Sequence, residues 1–288
     1  MRGAHRPVDR NVAGGAVILV NGLLSDTLPV SDRGLMYGDG VFRTLAVHSG
    51  TAQNLERHLA KLASDCAAIQ LPALNIDLLK REITNVCVDQ NDCVLKVVIT
   101  RGVGTRGYRA PDNTIPNRIV MTSPLPNYPA QYRREGVVVR WCDTRLAAPS
   151  PAPGVKTLNR LENVLACMEW SDAAIAEGLM SDADGRVIEG TMSNLFYVQA
   201  GKLMTPDLSR CGVAGVQRDR IIEFADDRRI PFVVKSPHKN DLIDSDELFL
   251  CNSIIGIWPV IALDKRRWKE GPLTRHLKAE LGVGGDDV

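Results

Sequence analysis

A chain of 288 residues is long for a single hydrophobic core, so two domains are expected. Its 44% hydrophobic and 24% charged residues are those of an ordinary globular protein and exclude disorder. Lys+Arg of 35 against Asp+Glu of 34 leaves a net charge of +1, so no overall field draws the chain to nucleic acid or to an anionic membrane. Any anion it binds must be held by local groups.

Seven cysteines (Cys66, Cys87, Cys93, Cys142, Cys167, Cys211 and Cys251) are odd in number and include no CxxC. Most sit in apolar runs, which reads as reduced thiols of a cytoplasmic protein rather than a disulfide frame or a metal site. Residues 1–15 are polar and Gly-rich without periodicity and read as a flexible extension. Arg2, Arg6 and Arg10 precede the apolar run 16–20, which is shorter than the roughly 7–15 residues of a signal-peptide core. No stretch reaches the length of a membrane span.

Order should begin at Val17 with a strand, a turn at Asn21-Gly22 and a second strand, a hairpin signal. Over 30–45, Gly34, Gly38 and Gly40 stand among charged residues. Either close backbone approach requires them, or the stretch is a loop before a strand over 41–47. Leu59, Leu62, Cys66 and Ile69 recur at helical spacing, with Arg57 and His58 off that stripe near the helix start. Arg57 becomes significant only if an anion lies close. A second helix is expected over 76–88 and a buried strand over 94–100. That strand runs into a Gly-rich loop carrying Arg101, Arg106, Tyr108 and Arg109, a rim suited to carboxylates. No helix pattern follows these glycines, so the loop is not a dinucleotide fingerprint.

Ile119-Val120-Met121 ends the first half, and Pro124, Pro126 and Pro129 mark a linker. The expected organisation is therefore an extension over 1–15, a small α/β domain over 16–122, an interdomain linker over 123–135 and a larger domain over 136–288. The larger domain opens with a strand over 136–141. Pro149, Pro151 and Pro153 follow in a run that can be neither helix nor central strand. Lys156 then sits just outside a helix start, ahead of Leu158, Leu161, Leu165 and Met168, which should form one buried stripe. A lysine shielded from water there would be a nucleophile or a Schiff-base former; the stretch alone reads first as a solvated loop lysine.

A hairpin should turn at Asp184-Gly185 into a strand over 187–198. Glu189, Thr191 and Ser193 would share one face of it, with Ile188, Met192, Phe196 and Val198 on the other. A carboxylate inside such a strand calls for a partner, structural or functional. The turn from Arg210 through Gly212-Val213-Ala214-Gly215 leads into a helix from about Arg218 to Ala225 and offers backbone N–H groups to a phosphate. A last strand over 247–251 ends in Asn252-Ser253.

A shielded lysine, a carboxylate and a helix-start loop with an arginine suit one ligand in common: an aldehyde, a ring nitrogen and a phosphate are the three groups of pyridoxal 5'-phosphate. The chain also resembles the class IV aminotransferases, the fold type IV pyridoxal-phosphate enzymes. The resemblance rests on Asp32-Arg33-Gly34 through Tyr37-Gly38-Asp39-Gly40-Val41-Phe42, Arg57-His58-Leu59, Lys156 with Leu158-Asn159, and Glu189 with Ser193-Asn194-Leu195-Phe196. It continues through Gly212-Val213-Ala214-Gly215 and Asn252-Ser253, all in family order from about Val17 to Pro259.

The resemblance implies a mixed α+β and α/β, two-domain fold like that of D-amino-acid aminotransferase, with the cofactor in the interdomain cleft of a homodimer. It implies that Lys156 holds pyridoxal phosphate as a Schiff base and shuttles protons, and that Glu189 pairs with the pyridine nitrogen, with Asn194 beside it. Arg57, the Val213 and Ala214 amides and Ser253 would hold the phosphate, and Asn252 would also bind the cofactor. Lys96 through Arg101-Gly102, Arg106-Gly107-Tyr108, the stretch 156–162, and Cys251 through Val260 are most similar to the family's lyase branch. That implies conversion of 4-amino-4-deoxychorismate to 4-aminobenzoate and pyruvate in folate synthesis, with Arg106, Tyr108 and Arg101 holding the substrate carboxylates. The alternative is an aminotransferase for D-amino or branched-chain amino acids. Branched-chain members carry a tyrosine five positions after the lysine, where this chain has Leu161, whereas D-amino-acid enzymes also lack it. A non-catalytic protein of the same fold is disfavoured by the presence of both Lys156 and Glu189. Neither a metal nor a nucleic-acid or membrane partner is expected.

Overall fold

The computed structural model describes residues 16–282; the extension expected over 1–15 lies outside them. The chain divides into two compact units after Pro126.

The first unit starts with the expected hairpin, β1 (Ile18–Val20) and β2 (Leu23–Leu24). Both turn residues, Asn21 and Gly22, have positive φ, the backbone such a tight hairpin requires. A short helix, α1 (Arg33–Tyr37), is capped by the Asp32 side chain and stopped by Gly38 in the left-handed region. The strand β3 (Gly40–His48) follows, then β4 (Thr51–Ala52), α2 (Leu55–Ala68) and α3 (Ile76–Cys87). β5 (Cys93–Thr100) and β6 (Asn117–Pro124) complete an antiparallel sheet in the order β2-β1-β6-β5-β3-β4. Leu59, Leu62 and Cys66 of α2 and Leu79 and Ile83 of α3 are buried, as their spacing requires, and α2 packs on β3. His58, expected off the apolar stripe, is buried as well.

The second unit begins with α4 (Ala130–Arg134), so the segment read as a linker is helical in part. β7 (Val137–Leu146), α5 (Leu161–Cys167), β8 (Ile175–Asp182), β9 (Val187–Gly190), β10 (Asn194–Gln199) and β11 (Lys202–Thr205) come next. They are followed by α6 (Val216–Asp227), β12 (Phe232–Val234), α7 (Lys239–Ile243), β13 (Glu247–Asn252), β14 (Gly256–Leu263), β15 (Arg266–Arg267) and α8 (Pro272–Leu281). The sheet runs β12-β11-β10-β13-β14-β7-β8-β9 with β15 on β14, and β9 also pairs with β10. Strands β10, β13, β14, β7, β8 and β9 thereby form a closed ring. Leu195 and Tyr197 of β10 join one buried cluster with Leu179, Leu250 and Trp258. The alternate residues Phe196 and Val198 join another, with Ile221 of α6 and Leu277 of α8. Both faces of β10 are covered, which is why it reads as an unbroken apolar run.

Two expectations are corrected. The span 187–198 is two strands, because the chain turns at 191–193 and β10 doubles back beside β9, Asn194 opposite Glu189. The stripe after Lys156 is also not buried. Helix α5 spans seven residues, and Leu161 (68%), Leu165 (48%) and Met168 (74%) are exposed, as is Val164. Helical spacing identifies a common face and says nothing of what covers it.

Candidate active site

Val213 is the point on which three separated segments meet. Gly154 bridges to it, with the Gly154 N–H donating to Gly212 O at 3.0 Å and the Ala214 N–H to Gly154 O at 2.9 Å. Gly154 has a φ of +76°, where a side chain would be strained. The Ser150 N–H donates to Arg210 O, so the Pro-rich run is tied along the 210–214 turn. Lys156 emerges two residues after this bridge, half-buried on irregular backbone. Its placement therefore comes from backbone pairing and not from a helix.

The Val213 peptide is gripped at both ends. Its N–H donates to Glu189 Oε2 at 2.8 Å, and its carbonyl accepts Asn194 Nδ2 at 2.7 Å. Asn194 Oδ1 in turn accepts the Gly215 N–H at 3.2 Å. Burial raises the Glu189 carboxyl to about 7, opposed by the Val213 N–H and the charges of Lys156 and Arg160, while the Glu177 charge adds to the rise. A buried carboxylate with one backbone donor and a nearby ammonium is suited to a ligand that brings its own N–H. Pyridoxal phosphate, whose ring nitrogen can carry a proton, fits these residues.

The phosphate end needs correction. The Val213 and Ala214 amides, expected to face an anion, already donate to Glu189 and Gly154. The next amides along, Val216 and Gln217, open α6, where a helix offers no internal acceptor. The N-cap is Gly215, which supplies no capping side chain. The Gln217 side chain is engaged elsewhere, by Leu281 O and Arg220. The buried Arg218 anchors this first turn, donating to Thr205 Oγ1 and to Pro206 O. The sequence signal for the helix start was Gly215, three residues after the Gly212 from which the amides were read.

Asn252 is likewise committed: Nδ2 donates to Met192 O, and Oδ1 accepts the Ile254 and Ile255 N–H groups. It shapes the turn between β13 and β14, in which Ser253 is half-buried. Arg57 lies on α2 of the first unit, exposed.

The arginine loop of the first unit is held by a network. Asp39 Oδ2 accepts Arg33 Nε and Arg101 Nε, each at 2.8 Å. Burial would raise the Asp39 carboxyl, but Arg101 and Arg33 outweigh it and hold the pKa below its ordinary value. Arg33 also donates to Gly107 O and Tyr108 O, and the Gly107 N–H donates to Tyr37 Oη. Arg101 also donates Nη1 to Gln70 O and Nη2 to Ile69 O, each at 2.8 Å, so its guanidinium is engaged on three sides within the first unit. Arg106 and Tyr108 (89% exposed) project from the loop so fixed.

One residue escaped sequence reading. Glu177 on β8 is buried with no basic side chain among its hydrogen-bond partners. Four of its five hydrogen bonds come from a turn 14 to 16 residues further along the chain, a proximity that only the fold creates.

Known proteins share this fold. Residues 40–263 match the family described as amino-transferase class IV. The chain is 31% identical over 268 residues to the aminodeoxychorismate lyase of Vibrio harveyi, covering 92% of this chain and 99% of that protein. It is also 31% identical over 279 residues to a putative branched-chain-amino-acid aminotransferase of Methanocaldococcus jannaschii, covering 92% and 94%. Among solved structures, it superposes on the 4-amino-4-deoxychorismate lyase of Pseudomonas aeruginosa with a TM-score of 0.89 and 47% identity over 92% of this chain and 97% of that one. With a match over residues 40–263 and the Lys156, Glu189 and Val213 geometry beneath it, the chain belongs to the class IV aminotransferases, the pyridoxal-phosphate enzymes of fold type IV.

Proposed function

We propose that this protein is a pyridoxal-phosphate-dependent lyase that converts 4-amino-4-deoxychorismate to 4-aminobenzoate and pyruvate, a step that supplies folate synthesis. The observation that carries it is the 47% identity to a 4-amino-4-deoxychorismate lyase over nearly the whole fold, with Lys156 and Glu189 both in place. Leu161 supports the choice against a branched-chain aminotransferase, because the tyrosine expected five positions after the lysine in that branch is absent.

Glu189 would hold the ring nitrogen in its protonated form, and the Val216 and Gln217 amides would bind the phosphate with Ser253. When bound, the cofactor supplies an electron sink for charge that develops at the amine-bearing carbon. Lys156 Nζ would take the proton from that carbon of the substrate. The electron pair left behind would expel the adjacent enolpyruvyl oxygen, and the enolate released takes up a proton at carbon to become pyruvate, leaving an aromatic ring. Aromatisation supplies driving force, so the protein's contribution is positioning and proton transfer. Arg106 and Tyr108 would hold the substrate carboxylates, an assignment supported by the rigid seat that Arg33 and Tyr37 give their loop.

A homodimer in the cytoplasm completes the proposal. The exposed apolar row Leu161, Val164, Leu165 and Met168 supports a second copy as its cover. All seven cysteines are free thiols, six of them buried, in keeping with a reducing compartment. The deciding experiment gives purified, cofactor-loaded protein enzymatically generated 4-amino-4-deoxychorismate and follows 4-aminobenzoate and pyruvate together. Equal and rapid release of both is expected. A loaded protein that releases neither, yet transaminates D- or branched-chain amino acids, would sink the lyase reading.

A further inference from the structure

Thr191, Met192 and Ser193 form the turn by which β9 gives way to β10, and the buried Glu177 carboxylate holds that turn by hydrogen bonds. Oε1 accepts the Gly178 N–H at 2.9 Å, the Thr191 N–H at 3.0 Å and the Thr191 hydroxyl. Oε2 accepts the Met192 N–H at 3.2 Å and the Ser193 hydroxyl at 2.9 Å. The turn's carbonyls are met from other elements. Asn163 Nδ2 donates to Thr191 O at 2.9 Å, and Asn252 Nδ2 to Met192 O at 3.0 Å. A Cβ on Gly190 would lie 2.3 Å from Ser193 Oγ and 3.0 Å from Glu177 Cδ, so the turn is seated with no spare room.

Burying a carboxylate among uncharged donors costs stability relative to an apolar side chain. The flanks of the turn show what it accomplishes. Glu189 lies two residues before it and Asn194 directly after it, and these two side chains grip the Val213 peptide from its two ends.

We propose that Glu177 is a positioning residue for the pyridoxal phosphate site: by locking the 191–193 turn it fixes the register of Glu189 and Asn194, and so sets the Glu189 carboxylate against the ring nitrogen. The inference rests on the cofactor reading above and is independent of the substrate.

The test reads the cofactor and not turnover. Wild type, Glu177→Gln, Thr191→Val and Ser193→Ala are loaded with pyridoxal phosphate labelled with 15N in the ring, and the nitrogen shift and the cofactor affinity are measured. In Glu177→Gln an amide NH2 must face backbone N–H donors. The shift should move toward that of an unprotonated ring, and affinity should fall about tenfold. Thr191→Val and Ser193→Ala, each removing one hydroxyl donor, should move both readouts the same way by less. They keep the test decisive if Glu177→Gln does not fold. Wild-type shift and affinity in the folded variants would overturn the proposal. A wild type that binds no cofactor would instead overturn the cofactor reading, and this inference with it.

Discussion

Glu189 and Asn194 are cross-strand partners in the one register pair that joins β9 to β10, and that pair closes the second unit's sheet on itself. The same two side chains hold opposite ends of the Val213 peptide, to which the segment leading to Lys156 is bridged. Ring closure and assembly of the site are therefore one structural event. Substitutions at the site should be felt in the fold, and the reverse.

Lys156→Ala should abolish turnover and the visible absorbance of the lysine-bound cofactor. The backbone pairing of Gly154 with Gly212 and Ala214 does not involve the lysine side chain and should survive the substitution. Turnover at the wild-type rate would end the proposed role.

Glu189→Gln should remove a pH dependence from the stability of the cofactor-free protein. The folded carboxyl titrates near 7 and the unfolded one near its ordinary value, so the folded state holds the extra proton between the two. Stability is then lost as pH rises from about 4.5 to about 7, by up to about 3 kcal/mol for this group. Chemical denaturation of both proteins across that range gives the difference, and parallel curves would contradict the burial argument. In the loaded enzyme the same variant should slow the proton-abstraction step.

Asp39→Asn leaves Arg33 and Arg101 without their shared carboxylate at the base of the arginine loop. A loss of about 2–3 kcal/mol is expected by thermal unfolding. The KM for substrate should rise with little change in cofactor affinity; an unchanged KM would remove the 104–108 loop from substrate binding.

Gly215→Ala places a Cβ 2.3 Å from Asn194 Oδ1. Asn194 must withdraw, releasing the Val213 carbonyl and displacing the start of α6. Weakened pyridoxal phosphate binding, measured by equilibrium dialysis, is the expected outcome.

Leu165→Glu puts a charge in the exposed apolar row of α5, where Leu165 is 48% exposed. Sedimentation should show a dimer for wild type and a shift to monomer for the variant. A variant that remains fully dimeric would show that this row is not the contact.

Much of this was legible in the chain. The Asn21-Gly22 hairpin, the α2 and α3 stripes and the apolar strands β5 and β10 follow from local rules, because each is decided by residues within one or two turns of each other. Lys156 and Glu189 stood out because a lysine after a proline run and a carboxylate in an apolar strand are chemically out of place. What misled was equally specific. Leu161, Leu165 and Met168 share a face that the described residues leave largely exposed. Arg101 looked like its neighbour Arg106 until Asp39 and two carbonyls of the α2 end claimed its donors.

The sequence by itself determined which side chains carry charge, nucleophilicity and apolar area, and where the backbone must turn. The tertiary structure alone decided which amides remain for an anion and which were spent: Val213 and Ala214 are used because β9 and the proline run lie against them, while Val216 and Gln217 open a helix with no side-chain cap. It also decided that Glu177, remote in sequence from Thr191 and Ser193, lies beneath their turn. Hydrogen bonds act over about 3 Å whatever the separation along the chain, so only the folded arrangement shows which donors they have already satisfied.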